Sequence, residues 1–291
     1  MPAKINVGPP SSGAHRFSPR GRKPFGQPTR GKTAPNRLRP TDTYLALCYS
    51  GFIRRLPGLY VDLGYGETPQ TTRETASRLS AVNPEVRVLG VEIDPQRVTA
   101  AQPFSGPRIE FRRGGFNLPL QEGERAAVIR AMNVLRQYPE SEYGPAVDQM
   151  GRFLCPGGIL LEGTSSPEGG WMVFHVYRRN GAALHSDGLV FFVRRRGSFE
   201  PRQLQAVLPK DLIHRVEPGG PLDRFFGDWE AAARRARRRS PDDPRRQFQL
   251  AALSLAADFN RPVDRRATLL RRGFLRLAES PLRPRGSARK E

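Results

Sequence analysis

Cysteine is almost missing from the 291 residues: Cys48 and Cys155 stand alone. Two thiols build neither a disulfide framework nor a cysteine zinc site, and four scattered histidines do not fill the gap, so no structural metal is expected. Long apolar runs are missing as well. Runs such as LVFFV at 189–193 fall far below the roughly 18 residues of a membrane span, and no secretory apolar stretch opens the chain. A soluble, cytoplasmic protein is the expectation. Hydrophobic residues (37%) and aromatics (9%) are sparse, whereas 29 Gly and 28 Pro are many, which implies that part of the chain lies outside any core.

The net charge of +20 is spread unevenly. Residues 1–40 hold nine Lys and Arg and no acid, residues 231–291 hold seventeen against six acids, and the stretch between is formally neutral. The first forty residues also contain eight Pro and five Gly, a composition that cannot offset its ordering entropy by burial. They read as a disordered basic arm. Both basic ends can gather RNA or another polyanion by releasing counterions; they can equally solubilise the chain or reflect an arginine-rich composition, since only five of the 48 bases are lysines. An acid-free start also resembles a transit peptide, but its Pro and Gly break the amphipathic helix that role needs.

From Pro40 onward order is expected. Thr41 caps an opening helix whose Leu45, Cys48, Phe52 and Leu56 recur at helical spacing. Short apolar runs then alternate with helical patterns. Strands are expected at 58–64, 86–94, 108–114, 126–133 and 158–164, with helices near 71–79, 95–101 and 143–154. The pattern is α/β, a doubly wound, mostly parallel sheet. Beyond Thr164 only SSPEGG precedes WMVFHVY, too short for a crossover helix. That run and GLVFFVR at 188–194 are expected to form an antiparallel hairpin closing one edge of the sheet. Four segments follow from this pattern: a basic arm (1–40), the α/β domain (41–197), a helical C-terminal extension packed on it (198–279) and a basic tail (280–291).

Open parallel sheets bind ligands beyond the carboxyl ends of their strands. After the first strand comes VDLGYGETPQTT at 61–72, where Gly64 and Gly66 allow a sharp turn and a close approach, and the following helix offers free N–H groups. A strand-to-helix turn alone often needs glycine for geometry only. Glu92, ending the second strand in VEID, adds a carboxylate able to accept both hydroxyl protons of a ribose. Together they point to a nucleoside-containing ligand.

At these residues the sequence resembles the class I S-adenosylmethionine-dependent methyltransferases. Their acid followed by Gly-x-Gly is similar to Asp62, Gly64 and Gly66, their acid after strand two to Glu92, and their strand-four to strand-five passage to AMNVLRQY and LCPGGILLEG. VDLGYG, GGFNLPL and RAMNVLRQY together resemble a bacterial methyltransferase-like group. The resemblance covers residues 41–165 and implies S-adenosylmethionine as cofactor, with its methionine part over Gly64, Tyr65 and Gly66, its ribose on Glu92 and its adenine near Phe116 and Asn117. Asn117 would accept from the adenine amino group and Phe116 would cover the ring. Two departures stand out: Gly115, Phe116 and Asn117 replace the acid that many members carry after strand three, and Glu67 and Thr68 replace a further glycine.

Methyl transfer needs alignment and exclusion of water rather than a covalent enzyme intermediate. Asn133, Arg136 and Tyr138 follow strand four and are the substrate-side candidates, Asn133 also toward the cofactor; a helix cap, a surface arginine and a core aromatic are their structural counterparts. His214, four residues after Lys210, is a candidate base or an ordinary half-buried helix residue. His175 and His185 have no assigned role. The acceptor is RNA or another polyanion, or a small metabolite. A methyltransferase-like binding protein without catalysis is the alternative class.

Overall fold

A computed structural model describes residues 24–28, 31–194 and 199–278. Two helices, α1 (Arg39–Cys48) and α2 (Ser50–Arg54), precede β1 (Leu59–Leu63), α3 (Gln70–Ser80), β2 (Val88–Glu92), α4 (Pro95–Ala101), β3 (Ile109–Arg113), β4 (Ala126–Met132) and α5 (Glu140–Gly151). Four further strands complete the sheet: β5 (Leu154–Ser165), β6 (Trp171–Asn180) and β7 (Ala183–Val193) in succession, then β8 (Phe274–Leu277) after α6 (Lys210–Ile213), α7 (Pro221–Arg239), α8 (Pro244–Ala257) and α9 (Ala267–Leu270).

The eight strands lie in the order β3-β2-β1-β4-β5-β6-β7-β8. Pairing is parallel from β3 through β5 and antiparallel from β5 through β8. Strand order therefore reverses between β1 and β4, the topological switch point at which doubly wound sheets place their ligands. β1, β2 and β4 are buried along their whole length, because helices cover both faces. This is why they read as unbroken apolar runs rather than alternating ones. One face packs Val61, Leu89 and Ile129 against Val147 and Met150 of α5, and continues as Val173, Leu189 and Phe191 under α7 and α8. The opposite face packs Tyr60, Val128 and Phe174 against Tyr44 and Leu45 of α1 and Leu79 of α3.

The helical extension is built on spacing. Leu222, Phe225, Phe226, Trp229, Ala232, Ala233 and Ala236 line the buried stripe of α7, while Arg237, Arg238 and Arg239 occupy its last turn, where cations oppose the helix dipole. The described residues contain no helix long and apolar enough to cross a membrane and no group of His, Cys, Asp or Glu that could hold a metal ion.

Four sequence expectations need correction. The opening helix is two helices, capped at Leu38 and Tyr49 rather than at Thr41; the Thr41 hydroxyl instead donates back to the Leu38 carbonyl. The β6–β7 hairpin, turned at Gly181 (φ 58°), does not close the sheet, since β8 pairs along β7. The extension is thus not purely helical: residues 262–264 bond back to β8, Asp264 N–H donating to Arg276 O and Ala278 N–H to Pro262 O. Finally, the reading of 1–40 as a structureless arm fails for 24–28 and 31–40, which make the contacts described below. Residues 1–23, 29–30 and the basic tail 280–291 lie outside the described residues.

Asp94 ends the β2 turn and caps α4, its carboxylate accepting from Gln96 N–H at 2.8 Å and Arg97 N–H at 3.3 Å. Asp94→Ala should cost about 1 kcal/mol, a fall in Tm of roughly 2–4 °C measurable by thermal denaturation; an unchanged Tm would show that the cap contributes nothing.

Candidate functional site

The carboxyl ends of β1, β2, β3 and β4 meet around one cleft. Leu63 and Gly64, Glu92 and Ile93, Gly114 to Phe116, and Val134 with Tyr138 form its walls. Gly64 and Gly66 hold φ of 72° and 89°, left-handed values that glycine adopts without strain. Gly64 N–H donates to Val91 O at 2.7 Å, binding the β1 turn to β2. Glu92 is 1% exposed. Its Oε2 accepts from Gly66 N–H at 3.0 Å and its Oε1 from Ile93 N–H at 2.8 Å, with the Arg97 guanidinium 3.7 Å away. The carboxylate and the glycine turn are thus one hydrogen-bonded unit.

Beyond β3, the Phe116 ring sits 5.2 Å from that of Tyr138, so the third and fourth strand exits share an aromatic wall. Burial pushes the Tyr138 hydroxyl above its ordinary value. Asn133 takes φ 63°, a conformation that asparagine tolerates better than most residues. Its side chain bridges to β5: Nδ2 donates to Ser165 Oγ at 3.0 Å, and Oδ1 accepts from Ser165 N–H at 2.9 Å.

The sequence therefore brings Gly64, Glu92, Phe116 and Tyr138 together, with Gly66 bonded to Glu92. Other candidates lie elsewhere. Asp62 does not face the cleft's ligand space: Arg130 grips it with Nε on Oδ1 at 2.9 Å and Nη2 on Oδ2 at 2.8 Å, and the Thr71 and Thr72 hydroxyls donate to it as well. These bonds tie β1 to β4 and to α3. The Tyr65 ring turns toward Phe111, at 5.5 Å. Arg136 is exposed and donates to Ala206 O. His214 follows α6, beside Lys210, and is not among the cleft residues.

Leu63, Ile93, Gly114 and Val134 line the cleft as well and are not among the residues singled out from the sequence. The larger omission is the segment ahead of α1. Phe25 lies over Phe116, ring centroids 5.7 Å apart, its N–H donating to Asn117 Oδ1 at 2.7 Å and its carbonyl accepting from Phe116 N–H at 2.9 Å. Gln27 N–H donates to the Tyr138 hydroxyl. Glu67 N–H donates to Gly31 O at 2.9 Å, and Arg37 reaches Ser165 Oγ at 2.9 Å and Ser166 O at 3.1 Å. The segment crosses the exits of β3, β4, β1 and β5 in turn.

No family model matches the chain, and no curated protein matches it. Among solved structures it is similar to magnesium protoporphyrin IX methyltransferase from Synechocystis PCC 6803 with bound SAH, at 18% identity over 44% of this chain and 54% of that one (TM-score 0.33). It is also similar to the [4+2]-cyclase SpnF, at 21% identity over 48% and 52% (TM-score 0.32), and to CalS10, an amino pentose methyltransferase from Micromonospora echinaspora, at 18% identity over 56% and 69% (TM-score 0.32). The chain spans about half the length of the first two.

Proposed function

We propose that this protein is an S-adenosylmethionine-dependent methyltransferase. The observation that carries the reading is the buried Glu92 carboxylate, hydrogen-bonded to the Gly66 amide of a left-handed glycine turn beside the switch point of a doubly wound sheet. The donor set suits the cofactor. Glu92 would accept from the ribose hydroxyls, Asn117 Oδ1 and Phe116 N–H would meet the donor and acceptor edge of the adenine, and the Gly64–Gly66 backbone would lie along the methionine part.

When bound, the cofactor supplies a methyl group on a positively charged sulfur, open to direct attack by a nucleophile. The chain's own contribution is to position and to exclude water. Tyr138, whose hydroxyl accepts from Gln27 N–H and donates to Gln27 O at 3.4 Å, stands at the β4 exit, and Asn133 is held rigid by Ser165. Glu92 and Tyr138 are the titratable side chains among the described cleft residues, and neither is placed as a free base. The acceptor best suited to such a site is a group already nucleophilic at neutral pH. Among acceptor classes the charge distribution favours RNA or another polyanion: Arg234, Arg238, Arg239, Arg245 and Arg246 are exposed around the α7–α8 turn. A binding protein without turnover is the second reading, favoured by the chain segment lying over Phe116 and Asn117.

Calorimetric titration with S-adenosylmethionine and S-adenosylhomocysteine tests the cofactor. Binding is expected, weakened about tenfold or more in Glu92→Ala, as the loss of hydrogen bonds to a charged group implies. Equal affinity in the folded variant would remove Glu92 from the site. Transfer of a labelled methyl group to RNA, to protein or to small amines then separates turnover from binding alone.

A further inference from the structure

We propose that residues 24–28 and 31–32 form a strap occupying the nucleoside site in competition with the cofactor; the inference rests on the cofactor reading above. Three observations carry it. Phe25 offers Asn117 and Phe116 a backbone N–H donor and a carbonyl acceptor side by side, the same arrangement an aminopurine edge presents with its exocyclic amine and neighbouring ring nitrogen. Its ring covers Phe116, as a purine would.

The glycines of the cleft are pressed by the strap itself. A Cβ on Gly115 would strike the Phe25 carbonyl oxygen, and one on Gly66 would come within 2.6 Å of Gly31 O. The close approach that these two glycines permit is used by the chain's own backbone. With the strap in place the cleft leaves about 20 Å³ of space, far below the roughly 300–1,000 Å³ of pockets that hold a small-molecule ligand. A bound adenosine and the strap therefore exclude one another at Phe116 and Asn117.

The strap can be destabilised at its own glycines. Gly26 and Gly31 hold φ of 144° and 82°, and a Cβ on either would press on Tyr138 or on Glu67 and Arg97, so a β-branched residue is strained twice over. Full-length wild type and the Gly26→Val, Gly31→Val double variant are compared by hydrogen exchange without ligand and by titration with S-adenosylhomocysteine. The Phe116 and Glu67 amides, which donate to the strap carbonyls, are expected to exchange at least tenfold faster in the variant, and the ligand to bind at least tenfold tighter.

Unchanged exchange would show that the strap does not hold those amides and would overturn the proposal. Faster exchange with equal affinity would overturn competition while leaving the cofactor reading intact. Weaker binding by the variant would make the strap part of the site rather than its rival. Binding by neither protein, with the amides released, would overturn the cofactor reading itself and the competition with it. Adding Glu92→Ala to the double variant should abolish the gain in affinity; a gain that persists would place the ligand elsewhere.

Discussion

Arg130→Met is expected to lower stability by about 3–5 kcal/mol, the cost of leaving buried charges without their partner. Arg130 is fully buried in the middle of β4. Burial opposes its charge, but Asp62, Tyr60 and Asp42 hold the guanidinium firmly protonated. It bonds Asp62 through two nitrogens and donates from Nη1 to Asp42 Oδ1 at 2.9 Å and Thr75 Oγ1 at 2.8 Å. Burial already raises the Asp42 carboxyl above its ordinary value, with Arg130 and Arg78 pulling it down. Without Arg130 the upward push prevails, and Asp62 keeps only its threonine hydroxyls.

A fall in Tm on the order of 10 °C should follow. Because Asp42 would then gain its proton still more readily folded than unfolded, the deficit should shrink as the pH drops from 7 toward 5. Adding Asp42→Asn and Asp62→Asn should recover part of the loss, since a neutral set of similar volume escapes the desolvation cost. A loss under about 1 kcal/mol would show that the network is solvated or replaceable.

A second large effect concerns pH. Glu162 on β5 is buried; its carboxyl is pushed up to about 8 by that burial, against the opposing pull of His175 and a hydrogen bond from Tyr143. His175 on β6 is pushed down by burial, but its bond to Asp211 at 3.1 Å, that residue's charge and Glu162 outweigh this and leave it above its ordinary value. Both groups hold their protons more tightly folded than unfolded. Their stabilising contribution is complete below the unfolded values and is lost as pH rises, for Glu162 across the interval from about 4.5 to about 8. The slope reaches up to about 1.4 kcal/mol per pH unit per proton.

Glu162→Gln keeps an acceptor for Tyr143 and removes the titration. The variant should match wild type near pH 5, flatten the profile above it, and melt several degrees higher than wild type at pH 8.5. A wild-type Tm that stays constant or rises from pH 5 to pH 8, with no gain from Glu162→Gln, would place the charged form of Glu162 comfortably in the fold.

The parallel strands were legible because burial on both faces leaves only apolar residues to read, and Glu92 was legible because its acid ends such a run. The role of Asp62 was not. Its partner stands 68 residues away as a single arginine within AAVIRAM, and an ion pair across neighbouring strands leaves no trace in local spacing. The one available signal was that arginine, out of place in an apolar run. β8 escaped notice for a different reason: FLRL follows two arginines and a glycine, and its four residues become a strand through pairing with β7. The strap was invisible because its hold on the cleft is largely backbone hydrogen bonding, which Pro- and Gly-rich composition does not disclose.

The return of residues 262–264 onto β8 also fixes how the molecule can meet others. Asp264 N–H and Ala278 N–H already satisfy carbonyls along that margin, so the main-chain groups a foreign strand would seek there are spent. At the opposite margin, Ile109 exchanges both of its backbone bonds with Gly106, and Glu110, Arg112 and Arg113 place charge along the rest of β3, which discourages edge-to-edge addition. Among the described residues both margins therefore offer a foreign strand few main-chain partners, and growth of the sheet by strand addition is discouraged at each.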